Sequence, residues 1–456
     1  MGVNSLFKIV SYSSISSWDV KNFIKKSNSF NPNIPLVLFG EFLSKATIKK
    51  VSIEDNETYK ILGVRSYGKG AFVNREVEGK TLKMRVYQQA KPNHLFWCKV
   101  DTKNGAFGVI SNNLSSGLGS SNMTFAEIDT NKANVDFVQL YFKSNRIYEY
   151  LDGFVTGTTN RKYIRPDQLL KEIYIPLPSL EEQNRIIGAY NSKLNLAVQQ
   201  ESLAKELEES IEKYLFEELG IIKAEERKSN SFLQFIRYTI ISEWGLDKIF
   251  NSNELKSSLY DMTSFETNPN LVKSIFRGKS PKYSENSTRL ILNQKCNRWN
   301  NIEIEHSKTV DERWYNGIDK NFFTKDGDVI INSTGEGTIG RATCLTNKYE
   351  GLLYDSHMLL LRVNKSVIDP LFYTYLFNSH FGQNQVDGIK SAQSTKQTEL
   401  GVNNLKKIVF PLTSLEKQKE ISKKIQLIKS QIKQLNNSSI KNKEEAILEF
   451  ENEIFN

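Results

Sequence analysis

The stretch IYIPLPSLEEQNRI, starting at Ile173, returns at Ile408 as IVFPLTSLEKQKEI. A chain that writes one strand-to-helix joint twice, 235 positions apart, is expected to fold as two copies of one unit. Over Ile175–Gln183 against Phe410–Gln418, six of nine positions are identical. The same offset pairs Phe142 with Phe377, Ser144 with Ser379 and Gly153 with Gly388. The front ends repeat at an offset of 226, where ISSW (Ile15–Trp18) answers ISEW (Ile241–Trp244). Between these ends the copies diverge. A constant frame with a variable interior suggests one scaffold presenting two different surfaces.

The joint has a physical reading. EIYIPLP and KIVFPLT are short β-rich segments cut off by proline, which cannot donate to a ladder. Ser179 or Ser414 then offers a hydroxyl to the free N–H groups of a helix start. Ser179 with Glu182 makes a capping box. In the second copy Ser414 meets Lys417, whereas Thr413 with Glu416 fits the box, so both residues stay candidates for the cap.

Two long helices follow. In the second, Ile421, Ile425, Ile428, Ile432 and Leu435 step by four and three, a heptad seam. Asn436–Ser439 is expected to interrupt it before an acidic helix carrying Ile447, Phe450 and Ile454. In the first, Ile187, Tyr190, Leu194 and Ala197 form a seam that then shifts to Leu203, Leu207, Ile211 and Leu215. Each helix packs on its own domain, or the two pair with one another. Residues 180–219 hold nine Glu against four Lys or Arg, and residues 415–435 hold six Lys against two Glu. Opposite charge beside apolar seams favours the pairing. Leu219–Ser231 reads as the helix exit and a polar linker.

Net charge is +9. The helical segments 180–219, 415–435 and 440–456 carry −5, +4 and −3, so the remaining chain carries +13. Positive excess on globular regions points to a polyanion. No run of about 18 apolar residues exists, so no membrane span is expected. MGVNSLFKIV is too polar for a secretory segment and, with Leu6 where Ser or Thr is needed, misses the myristoylation pattern. Cys98, Cys296 and Cys344 are odd in number and scattered. That fits a reducing cytoplasm and argues against a disulfide framework or a zinc site.

Catalytic patterns are missing. Gly335, Gly337 and Gly340 fit G-x-G-x-x-G after an apolar strand at Asp328–Ile331, but a dinucleotide site needs a helix next. The following RATCLTNKYEGLLYDSHMLLLRV reads as strands. The glycines therefore shape a hairpin turn that brings backbone, with Arg341 beside it, close to a ligand. There is no Walker A lysine, no N/D-P-P-Y/F and no convincing PD…(D/E)xK nuclease pattern. His94, His306, His357 and His380 lack metal-ligand spacing. Asp355, Ser356 and His357 are triad residue types, but as neighbours on a strand they face opposite ways and form no relay. The chain reads as a non-enzyme with no cofactor and no metal.

The surfaces suited to DNA combine basic, amide and aromatic residues. Arg and Lys donate to guanine edges or phosphates, and Asn and Gln pair with adenine. In the second half the candidates are Lys279, Lys282, Tyr283, Asn293, Gln294, Lys295, Arg298, Thr334, Arg341 and Lys396. In the first they are Arg65, Lys69, Arg75, Lys103, Asn104 and Arg161. Trp299 and Phe107 read as core. A helix over residues 180–217 would be about 57 Å long, against roughly 34–36 Å per turn of duplex, long enough to act as a spacer.

The chain resembles the specificity (S) subunit of type I restriction–modification systems. The motifs that carry the resemblance are the twice-written Pro-x-x-Ser-Leu-Glu-x-Gln joint with its helix, SPKYSENSTRLILNQKC, GDVIINSTGEGTIGRA with DSHMLLLR, and, in the first half, NGAFGV with SSNMTFAEID. The segment up to Thr58 has no clear counterpart. The resemblance implies an α+β fold: two globular target-recognition domains separated by two long antiparallel paired helices, a coiled coil with a pseudo-twofold internal repeat. Expected bounds are 1–178 and 223–412 for the recognition domains, and 179–222 and 413–456 for the helices. It further implies a double-stranded DNA target that is asymmetric and bipartite, two methyltransferase subunits, and a motor-endonuclease subunit. Methyl donor and nucleotide would bind to those partners. A type IIB-like methyltransferase complex is a close variant. A stand-alone DNA methyltransferase or nuclease, or a scaffold that binds only protein, is the alternative class.

Overall fold

The computed structural model describes residues 30–99, 105–152, 154, 164–222, 256–335, 337–391 and 399–455. The ISSW and ISEW segments, Gly153, and the candidates Lys103, Asn104, Arg161 and Lys396 lie outside them. The chain parts into two compact units, Met1–Glu201 with Asn436–Asn456, and Ser202–Leu435.

In the first unit a two-stranded ribbon pairs β1 (Leu36–Leu38) with β11 (Tyr174–Pro176). A four-stranded antiparallel sheet runs β2 (Leu43–Lys45), β10 (Met123–Ile128), β7 (His94–Cys98), β8 (Phe107–Val109). A five-stranded sheet holds β3 (Lys50–Ser52), β6 (Val86–Gln89), β9 (Leu118–Gly119), β4 (Thr58–Arg65) and β5 (Gly70–Glu78). Helices α1 (Val135–Tyr141), α2 (Asn145–Asp152) and α3 (Pro166–Glu172) precede the long helix α4 (Leu180–Leu219).

The second unit repeats the frame. Its ribbon pairs β14 (Met262–Thr263) with β24 (Phe410–Pro411). Leu36 opposite Pro176 is answered by Met262 opposite Pro411. These are the offsets of 226 and 235 found in the sequence. Its main sheet runs β15 (Val272–Arg277), β23 (Met358–Val363), β20 (Val329–Asn332), β21 (Ala342–Cys344), the same order as β2-β10-β7-β8. The interior differs. Here a three-stranded sheet of β19 (Lys308–Thr309), β16 (Leu290–Leu292) and β22 (Leu353–Tyr354) takes the place of five strands. A tight hairpin of β17 (Asn297–Arg298) and β18 (Asn301–Ile302), the ribbon β12 (Ile221–Ile222) with β13 (Lys256–Ser257), and the short helix α5 (Glu312–Asn316) complete it. Helices α6 (Pro370–Asn378), α7 (His380–Ser391) and α8 (Val402–Lys407) precede α9 (Leu415–Phe455).

The joint is repeated because one buried glutamine does the same work twice. Gln183, fully buried, donates to the carbonyls of Lys132 (3.0 Å) and Pro178 (2.8 Å), and its Oε1 accepts from the Asn134 N–H (2.7 Å). Gln418 donates to Val367 (3.0 Å) and Thr413 (2.8 Å) and accepts from Asp369 (2.9 Å). Asn134 and Asp369 are the N-caps of α1 and α6. Each glutamine therefore ties the start of a long helix to the start of a domain helix. Ser179 and Ser414 both accept from the N–H three residues on, at 3.3 Å, which settles the second cap on Ser414.

Two expectations about the helices need correction. The second does not break at Asn436–Ser439: α9 is continuous. Its seam runs on through Ser439 and Asn442, which are polar but have partners. Ser439 donates to Glu201 (2.9 Å), as does Lys443 (2.6 Å), and Asn442 donates to Gln200 (2.9 Å). Nor does the first seam shift to Leu203, which is exposed. Ala204 is buried instead, seven residues after buried Ala197.

Both alternatives for the helices turn out to hold. Within the first unit Lys193 meets Glu445 and Glu449, and Arg185 meets Glu453. Within the second, Lys429 meets Glu208 and Lys417 meets Glu218. Rising numbers on α4 meet falling numbers on α9 in each case, so the pairing is antiparallel. Each unit also buries helix residues in its own core: Ile186, Ile187, Phe450 and Ile454 in the first, Leu215, Leu219, Ile421 and Ile425 in the second. Among the described residues no helix is long and apolar enough to cross a membrane.

Candidate nucleic-acid interface

In the second unit β20 is buried at all four residues and runs into the glycine-rich loop before β21. A strand follows the glycines, as the sequence suggests. Gly335, Gly337 and Gly340 all have positive φ (97°, 72° and 83°), which L side chains adopt at a cost. The loop is closed at its base by Gly340 N–H to Asn332 O and Asn332 N–H to Arg341 O, both 2.9 Å. At its tip the N–H groups of Thr338 (3.1 Å) and Ile339 (3.0 Å) donate to Gly335 O.

A polar layer holds this loop from below. Asn332, fully buried, donates to Gln294 O (3.1 Å), and Thr338 Oγ1 donates to Gln294 Oε1 (3.0 Å). Buried Asn297 donates to Arg341 O (2.8 Å) and accepts from Thr343 Oγ1 (2.7 Å). The Arg341 guanidinium reaches back to Gly337 O through Nη2 (2.8 Å), while its Nε is buried with no partner. Buried Ser333 Oγ likewise has none. Thr334 Oγ1 meets His357 Nδ1 at 2.9 Å, and the His357 ring is exposed.

The fold thus gathers Gln294, Lys295, Thr334 and Arg341 round one loop and adds His357. The sequence reading missed His357 because it placed Asp355, Ser356 and His357 on a strand. They form the turn between β22 and β23, where the Asp355 carboxylate accepts from the His357 N–H (3.0 Å). Burial pushes the Asp355 carboxyl above its ordinary range. A second cluster flanks the loop. Lys279 bridges Asp355 through backbone and sets Nζ over the Phe322 ring at 4.2 Å. Tyr283 is half exposed, with Lys308 Nζ over its ring at 4.7 Å, and Lys282 beside it is exposed.

Two candidates are engaged elsewhere. Asn293 is buried; its amide donates to His306 O (2.6 Å) and accepts from the Lys295 N–H (2.8 Å). Arg298 pairs with Glu303 at 2.7 Å, and the Arg298 hydrogen bond holds the Glu303 carboxyl below its usual range. Glu303, Glu305 and His306 lie close enough to share an ion, a juxtaposition the sequence spacing did not suggest, but Glu303 is already spent on Arg298. Phe107 is core, whereas Trp299 is 45% exposed on the β17–β18 turn.

In the first unit the counterpart of the β20–β21 hairpin is β7–β8. Arg65 and Lys69 are exposed at the β4–β5 connection, with the Arg65 guanidinium 4.5 Å over Phe72, and Arg75 is exposed on β5. The connection leans on the β7–β8 hairpin: Gly68 N–H donates to Gly105 O at 3.1 Å.

Residues 277–444 match the family model described as the type I restriction modification DNA specificity domain. The chain is 34% identical over 98 residues to a putative type I restriction enzyme MjaX specificity subunit of Methanocaldococcus jannaschii. That match covers 21% of this chain and 23% of that protein, so it spans under a quarter of the relative's length. One solved chain, reported under complex assembly and conformational transition of the type I R-M system, aligns with a TM-score of 0.55 at 13% identity, covering 91% of this chain and 95% of that one. The HsdS subunit from Thermoanaerobacter tengcongensis aligns over the same shares with a TM-score of 0.48 at 14% identity.

Proposed function

We propose, from the match of residues 277–444 to the type I restriction–modification DNA specificity domain, that the chain is the sequence-reading subunit of a restriction–modification complex. Each unit reads one part of a bipartite duplex target, and partner methyltransferase and motor-endonuclease subunits supply the chemistry. The observation that carries this reading is the hydrogen-bonded glycine-rich loop between β20 and β21. It offers Thr334, Arg341 and His357 on a buried polar layer, next to exposed Lys295. Fixed side chains and lysines of this kind combine base-edge readout with phosphate contacts. The divergence between the two interiors supports an asymmetric target.

The test is a selection from randomised duplexes with the native complex, alongside the purified chain incubated with DNA, magnesium and methyl donor. The expected result is a two-part enriched sequence, and no methylation or cleavage by the chain alone. Absence of enrichment, or chemistry by the chain alone, would overturn it.

A further inference from the structure

The β4–β5 connection carries a residue that is costly to hold where it is. Tyr67 and Gly68 are both left-handed, with φ of +60° each. Two successive residues in that region suit Asn-Gly; a bulky side chain at the first is a genuine outlier. The conformation is over-determined by its surroundings. Gly68 donates to Gly105 O (3.1 Å) and its carbonyl accepts from Gln139 Nε2 (3.1 Å), while a side chain at Gly68 would run into the Phe142 carbonyl. Gln139 in turn accepts from the Val109 N–H of β8 at 2.7 Å. The turn is therefore clamped to the β7–β8 hairpin, the counterpart of the glycine-rich loop.

The strain gains little packing. Tyr67 is 59% exposed and touches Tyr148 edge-on, at 6.1 Å between ring centroids. Exposed Arg65 and Lys69 flank it. The clamp fixes the turn through Gly68 but does not call for a tyrosine before it, and strain held with the ring exposed between two cations points to a ligand contact. Resting on the DNA-reading proposal, we infer that Tyr67 lays its ring against a base in the half-site read by the first unit, with Arg65 and Lys69 on the neighbouring phosphates. Losing one contact to a base edge in a duplex site costs roughly tenfold or more in affinity.

The test uses Tyr67→Asn and Tyr67→Phe in the native complex, with the duplex recovered by wild type in the selection above as probe. Asn accepts the left-handed backbone, so its melting temperature is expected to hold or rise. Its affinity should fall about tenfold, with the loss of preference confined to one half-site. Phe keeps the ring and should bind within about twofold of wild type. Wild-type binding by Tyr67→Asn, or a melting temperature that falls together with affinity, would make Tyr67 a packing residue and overturn the inference. A selection in which wild type itself enriches nothing would instead remove the underlying DNA-reading proposal.

Discussion

Arg341 stabilises the loop it stands on. Its Nη2 bonds to the Gly337 carbonyl at 2.8 Å, and its own carbonyl is held by buried Asn297. On the DNA-reading proposal, a side chain fixed this way would meet a base edge without first losing rotamer freedom. Arg341→Ala is expected to cost about 1–3 kcal/mol of binding and to relax one half-site while the other keeps its preference. Competition titrations with single-base variants check this; an equal loss on every duplex would place Arg341 on phosphate alone. The residues round this loop were legible as a class, because glycine, amide and arginine cluster in the sequence. Which of them face outward was not. Asn293 and Gln294 are adjacent amides, yet only the fold shows Asn293 turned inward onto His306 O. His357 needed the turn geometry that a strand reading denied it.

At the scale of the element, the joint was the most legible feature, since its two copies share the proline, the cap and the glutamine. The role of the glutamine was not legible, because its partners lie about 50 residues upstream. Gln418 is fully buried and serves three backbone groups, so Gln418→Leu orphans two carbonyls and one N–H. The Thr413 carbonyl is the fully buried orphan and the other two groups are part-buried, so a loss of about 1–3 kcal/mol is expected, read by urea unfolding as a lower midpoint. A change under about 1 kcal/mol would show the clamp to be dispensable. The break expected at Asn436–Ser439 failed for a related reason. Polar residues in a seam look like an end until their partners on the other helix, Gln200 and Glu201, are known. Leu203 failed differently: apolarity chose it, whereas the heptad step from Ala197 chose Ala204.

Across the whole molecule the charge is divided by role. The acidic residues of α4 are largely answered by α9 lysines and by lysines of α4 itself, for example Glu201 by Lys443, Glu218 by Lys417 and Glu209 by Lys205. On the DNA-reading proposal, the surplus of +13 outside the helical segments is the charge that would meet phosphate. That surplus should appear as steep salt dependence, since each neutralised phosphate releases condensed counterions and contributes about −0.9 to the slope of log K against log salt. Lys295 is exposed, and only its backbone N–H is tied into the loop, through Asn293. Lys295→Ala should thus leave the fold intact, reduce the slope by about one, and weaken every duplex to a similar degree. Arg341→Ala is expected to differ in kind, with its loss confined to one half-site. Titrating both variants across salt on the same duplexes separates a residue that positions from a residue that reads. An unchanged slope for Lys295→Ala would move the phosphate contact away from this loop and onto the Lys279–Lys282 cluster beside it.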